Sequence, residues 1–271
     1  MLLLTLLLWS TGCQGTPSTT FIAPSIPVGS TYVLHLPGIA GDSPLDRNWM
    51  KSLEAGGVTT HIALYDWTCH DAGLDALEAH LRNHRESCKV ARILSDRAAV
   101  DPTGKIILTA ESAGAGVAIW ALERLPDDVQ VDDVLLVAAA VSPGYDLSRA
   151  LKHVRGKFYY FSSTEDWYTL GWCTSIFGTM DGQKTHSAGF VGFTPPPGSD
   201  PAQYAKLVEI KYDPAWAKWG DFGGHTGGLS APFARAFVAP LLVRAEQERE
   251  ATSAPPNPVA NGATPALLTT R

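Results

Sequence analysis

A chain of 271 residues with 27 acidic and 21 basic side chains carries a net charge of −6. No basic run is present, which excludes a nucleic-acid partner, because phosphate contacts need clustered Lys and Arg. Hydrophobic and charged contents of 45% and 18% exclude a disordered chain, and the length allows one large core.

The first segment, "MLLLTLLLWSTGC" (1–13), is too short to cross a bilayer. It reads as the end of an export signal, although it lacks the basic start of such signals. Its "STGC" resembles the lipobox of bacterial lipoproteins, which makes Cys13 the lipidated residue. Ser10 departs from the branched apolar residue usual there. The expectation is an exported protein, periplasmic or attached to a membrane through Cys13. Residues 14–30, rich in Pro, Ser and Thr, form a linker, and the Pro/Ala-rich stretch 248–271 is expected to be a disordered tail.

Between these ends lies one domain, 31–247. "TYVLHL" (31–36) is a strand and "LDRNWMKSLEAGG" (45–57) has helical spacing with a glycine stop. A second strand, "THIALYDW" (60–67), precedes a long amphipathic helix over 72–98. "KIILTA" (105–110) is the third strand, followed by the helix "AGVAIWALERL" (115–125). "DDVLLVAAAV" (132–141), "KFYYFSS" (157–163) and "KLVEIKY" (206–212) continue the strands, and a final helix covers about 229–247. Strands apolar on both faces and separated by helices predict a three-layer α/β domain with a mostly parallel sheet. Right-handed crossovers then place every strand's carboxyl end, and any site, on one edge.

Three segments at that edge carry chemistry. "LTAESAGAG" (108–116) puts Ser112 between a buried strand and a helix, where free backbone N–H groups can stabilise an oxyanion. Ala110 stands where the nucleophile motif usually has glycine; the bland alternative is a serine that caps a helix. "THSAG" (185–189) has better letters, but no strand precedes it and no amphipathic helix follows, so Ser187 is set aside. A serine nucleophile needs a base and an acid to orient it. His225 sits in the glycine-rich "GDFGGHTGGLS" after the last strand, and Asp166 follows the fifth strand in "SSTEDWY". Asp146 and Glu165 are the alternatives for the acid. The oxyanion donors are expected to be the N–H groups of Ile39, in "HLPGIAGD", and Ala113.

With these motifs in chain order, residues 31–247 resemble the α/β-hydrolase superfamily. The resemblance implies Ser112 as nucleophile, His225 as general base, Asp166 as its orienter, and an acyl-enzyme intermediate formed on an ester-type substrate. Pro37 stands where many members have histidine. No separate cap domain is expected, and the aromatic residues Trp167, Tyr168, Trp172, Phe177, Phe190 and Phe193 either wall an apolar pocket or pack the 163–205 excursion onto the domain. A catalytically inactive binding or scaffold lipoprotein with this fold is the alternative. A serine peptidase is disfavoured because no further substrate-binding domain fits the length. No phosphate loop or nucleotide fingerprint is seen, so no cofactor is expected. His80, His84 and Cys88 share a helix face, but solvated positions beside a core cysteine explain them better than a metal. Cys69 and Cys88 either pair or remain free thiols.

Overall fold

A computed structural model describes residues 26–253 except 60, 61, 70 and 72. The lipobox-like segment with Cys13, most of the linker and all but the start of the tail lie outside the described residues. Six strands form one sheet, β1 (Tyr32–Leu36), β2 (Ile62–Leu64), β3 (Ile106–Glu111), β4 (Asp133–Val137), β5 (Phe158–Ser162) and β6 (Leu207–Lys211), in the order β2-β1-β3-β4-β5-β6. Every pairing is parallel, with Leu36 opposite Ala110, Ala110 opposite Leu136 and Leu136 opposite Tyr160.

The four inner strands are buried along their whole length, which is why their sequences run apolar instead of alternating. Successive side chains point to opposite faces. Leu34, Leu108, Leu136 and Phe158 meet Val90, Leu94 and the helix Gly114–Leu122 on one side. On the other, Val33, Ile107, Leu135 and Phe161 meet Trp49, Leu53, Phe233 and Leu242. The helix Pro44–Ala55 starts where Ser43 accepts the Asp46 N–H and Pro44 sets the first turn, a usual N-terminal pairing.

Three elements depart from the sequence expectation. The helix expected over 72–98 breaks at Ala79, whose ψ of 50° is not helical, into Asp75–Glu78 and His80–Val100. Asn83 Nδ2 donates to the freed Ala76 carbonyl at 2.7 Å, satisfying a group the break would orphan. The strand expected to reach residue 141 stops at Val137, because Ala138 takes a left-handed φ of 51°. The apolar residues beyond it are buried around the Ser112 turn instead: Ala140 N–H donates to the Ser112 carbonyl at 3.0 Å. The last helix continues as Ala239–Ser253, beyond the expected end at 247.

Candidate active site

β3 ends at Glu111 and the chain turns sharply into the helix Gly114–Leu122. Ser112 sits at the turn with φ of 51°, a left-handed conformation that costs a non-glycine residue about 1–2 kcal/mol. Hydrogen bonds on both sides hold it: Ser112 N–H donates to the Val137 carbonyl at 2.9 Å, and the Ser112 carbonyl accepts from Ala115 and Ala140. Small residues are needed because the helix starts against β1. A Cβ on Gly114 would lie 2.7 Å from the Leu36 carbonyl oxygen and closer still to that of Pro37. Gly116 faces Met180, whose Cβ would be 2.7 Å from an added methyl. Ala110, where glycine is usual, places its methyl in the buried core.

The β1 carboxyl end leads into residues 37–40 beside this turn. Gly38 is pressed against Ser112 Cβ and the Glu111 carboxyl, leaving no room for a side chain. Neither the Ile39 nor the Ala113 N–H donates to an acceptor among the described residues. Among the described residues both sequence-predicted oxyanion donors are thus without an acceptor, on the two segments that flank Ser112.

His225 arrives on the loop after the short 3₁₀ helix Pro214–Trp219. Asp221 shapes that loop: it is buried, accepts the Gly223 N–H at 2.8 Å, and fills the space a Cβ on Gly227 would need. Burial pushes the Asp221 carboxyl up, against the pull of the Gly223 N–H. Gly223 has φ of 77° and abuts Tyr212 and Glu165, so no other residue fits there without strain. The Gly228 carbonyl accepts the Trp49 indole N–H at 3.2 Å, tying the loop to the domain core.

These segments bring three predicted residues together. His225 Nδ1 lies 2.7 Å from Asp166 Oδ2, and His225 Nε2 lies 3.0 Å from Ser112 Oγ. With Nδ1–H donating to the carboxylate, Nε2 is left to accept the serine proton; this tautomer follows from the hydrogen-bond network. Asp166 is buried, and its carbonyl accepts the N–H groups of Leu170 and Gly171 in the π-helical turn Trp167–Cys173. Burial by itself would lower the His225 pKa, but the Asp166 hydrogen bond and the Glu111 and Asp166 charges outweigh it and raise it above the ordinary 6.5.

The other candidates lie elsewhere. Asp146 is exposed, accepts from Ser148 N–H and Tyr204 O–H, and lines an open depression of about 690 Å³ with Asp181 and Lys184. Glu165 is exposed and makes no bond to His225 among the described residues. Ser187 is fully buried, and its Oγ has no hydrogen-bond partner among the described residues. The His84 ring lies against Trp120, tilted by 38° with ring centres 4.2 Å apart. No cluster of three or more His, Cys, Asp or Glu suited to a metal occurs among the described residues. Cys69 is a free, exposed thiol whose Sγ turns to the Trp67 carbonyl in its own left-handed turn, so the Cys69–Cys88 bridge is not formed.

Two features escaped the sequence reading. Glu111, one residue before the serine, is buried with Oε1 3.4 Å from His225 Nε2. A carboxylate closing an otherwise apolar buried strand was the available signal, since such groups are buried only when paired. The second is the exposure of Trp167, Tyr168, Trp172 and Phe177, which are 63%, 59%, 53% and 50% accessible. They do not pack the excursion onto the domain. Only Phe190 and Phe193 do so. The Trp167 and Tyr168 rings meet edge to face and Tyr168 stacks on Trp172, forming an aromatic surface that begins one residue after Asp166. A cavity of about 30 Å³ lined by Asp166, Trp216, Asp221 and His225 does not include Ser112.

The all-parallel sheet with a serine turn after β3 gives the chain an α/β-hydrolase-like fold. No protein-family model and no curated protein matches the sequence. Among solved structures it is similar to the metagenome-derived lipolytic enzymes LipS and LipT, with 13% identity and a TM-score of 0.46 over 83% of this chain and 95% of that one. It is also similar to Est1E from Butyrivibrio proteoclasticus, at 11% identity and 0.45 over 83% and 90%. A cutinase-like protein from Cryptococcus sp. is 16% identical, with a TM-score of 0.40 over 82% and 95%. At these values the chemistry of the site rests on its own atoms.

Proposed function

We propose that the protein is a serine hydrolase that cleaves ester-type substrates, carboxylic esters or thioesters, through an acyl-enzyme. The observation that carries this reading is the unbroken chain Asp166 Oδ2, His225 Nδ1, His225 Nε2, Ser112 Oγ at 2.7 and 3.0 Å. Ser112 Oγ attacks the substrate carbonyl carbon as its proton passes to His225 Nε2. The oxygen that gains negative charge is received by the Ile39 and Ala113 N–H groups. The imidazolium returns the proton to the departing alcohol or thiol, and water, deprotonated by the same nitrogen, releases the acid. Asp166 holds the imidazole in the required tautomer and offsets its charge during each transfer.

The aromatic surface of Trp167, Tyr168 and Trp172 supports a substrate with an apolar acyl or alcohol portion lying beside the acid. An inactive scaffold would need none of the serine–base–acid alignment. Export and attachment through Cys13 belong to the same proposal, tested by the mass of the mature N-terminus.

Purified protein should hydrolyse p-nitrophenyl acetate and butyrate. Ser112→Ala and His225→Ala should each abolish this while leaving the thermal transition in place. Full turnover by the Ser112→Ala variant would refute the assignment.

A further inference from the structure

One buried titratable group in contact with the base has no part in the mechanism. Glu111 closes β3, whose six residues are all buried, so its carboxyl has been taken out of water at a cost that only partners can offset. Those partners are the machinery itself. One oxygen lies 3.4 Å from His225 Nε2, the atom that also faces Ser112 Oγ at 3.0 Å. The other abuts Gly38 so closely that any side chain there would collide with it.

Building on the hydrolase reading, we infer that Glu111 is a positioning residue for the base. Its carboxyl is wedged between His225 Nε2 and the Gly38 end of the oxyanion loop. When Nε2 takes the serine proton, the new positive charge is faced by Glu111 on the Nε2 side and by Asp166 on the Nδ1 side. The same carboxyl packs against Gly38, at the start of the loop that presents Ile39.

Four groups set the charge of Glu111. His225, from the loop after β6, and the Gly38 N–H, from the loop after β1, favour the carboxylate. Asp46, from the helix Pro44–Ala55, and Asp166, from the loop after β5, oppose it. Asp46 is itself held by His35 Nε2 at 3.0 Å and by Ser43 Oγ. Burial, the largest influence, pushes the Glu111 carboxyl up to about 7. Its contact with His225 Nε2 makes the two a coupled pair, so each apparent pKa belongs to both.

Glu111→Gln tests this through the pH dependence of kcat/KM on p-nitrophenyl butyrate. The carboxylate raises the His225 pKa, so the neutral amide should shift the acid limb to lower pH by about one unit. At the alkaline plateau kcat should fall about tenfold with KM within about twofold, because the lost contact forms fully only with the imidazolium. Glu111→Asp, which keeps the charge, should return the acid limb towards the wild-type position. Titration of the His225 ring resonances in the unmodified protein gives a substitution-free reading. A broadened or two-step curve is expected, and a simple one-proton curve overturns the inference. An unshifted acid limb in Glu111→Gln, even with lowered stability and kcat, also overturns it and leaves Glu111 a purely structural group. Reaction of Ser112 with a fluorophosphonate separates the two levels. If Ser112 reacts and the limb does not move, this inference alone fails. If Ser112 does not react, the hydrolase reading fails with it.

Discussion

Gly114→Ala sets two physical effects against each other at the heart of the site. Gly114 is the first residue of a helix and its φ is not positive. Intrinsic propensity alone would therefore have alanine stabilise the protein by about 0.5–1 kcal/mol. Packing says otherwise. The new methyl would sit 2.7 Å from the Leu36 carbonyl oxygen and nearer that of Pro37, whereas ordinary contact begins at 3.4 Å. Both obstacles are backbone, so neither can rotate away, and the serine turn and the end of β1 must part by about 1 Å. The two segments carry the Ala113 and Ile39 N–H groups, so the separation opens the proposed oxyanion site itself. A displacement of this size costs about 10²-fold in turnover, roughly 2.7 kcal/mol of transition-state stabilisation. Overpacking should also lower stability by about 1–3 kcal/mol. Steady-state hydrolysis of p-nitrophenyl butyrate and urea denaturation measure the two quantities. Gly144→Ala, where an added Cβ meets nothing within 4 Å, is the control and should change neither. A Gly114→Ala protein that is more stable and fully active would refute the close approach and the role given to the two amides.

Asp166→Asn should cut kcat by about 10⁴-fold by favouring the wrong histidine tautomer, while Asp146→Asn, which loses bonds only to Ser148 and Tyr204, should leave kcat within about twofold. In the proposed mechanism His225 acts when neutral and its pKa is raised, so kcat/KM should rise with pH through an acid limb centred above 6.5. A limb below 6.5 would contradict the balance of burial against the Asp166 and Glu111 charges. The same raised pKa contributes stability fully present below the unfolded value of 6.5 and lost as pH rises through the folded one. Activity and this share of stability should therefore run in opposite directions in a denaturation series across that range. Replacing Trp167 and Trp172 together by Ser should raise KM for a p-nitrophenyl octanoate about tenfold, as loss of a large aromatic contact does, and far less for the acetate; equal effects on both esters would refute an acyl contact there.

The sheet was legible because its inner strands are buried on both faces and therefore spell continuous apolar runs. The meeting of Ser112, Asp166 and His225 was legible from chain order, since parallel strands with right-handed crossovers send their carboxyl ends to one edge. Where the reading erred, a local pattern carried two meanings. The apolar run through Val141 looked like strand, yet its second half is buried around the serine turn, because Ala138 adopts a left-handed φ that no residue letter announces. The amphipathic pattern through 72–98 hid the break at Ala79, which Asn83 stabilises by reaching back to Ala76. Whether the 167–177 aromatics wall a pocket or pack the excursion stayed open, because exposure depends on where the excursion lies, which periodicity does not specify. Glu111 was missed for a different reason. The missing glycine before the serine is the more visible departure from the motif, while the unusual letter is the carboxylate next to it, which the fold buries.

The central claim is that Ser112 is an activated nucleophile. Brief incubation of the folded protein with a fluorophosphonate, followed by peptide mass spectrometry, tests it most directly. The account predicts one adduct, on Ser112, that disappears when His225 is replaced by Ala or the protein is unfolded before treatment. An unmodified Ser112, or an adduct on Ser187 in its place, would contradict it.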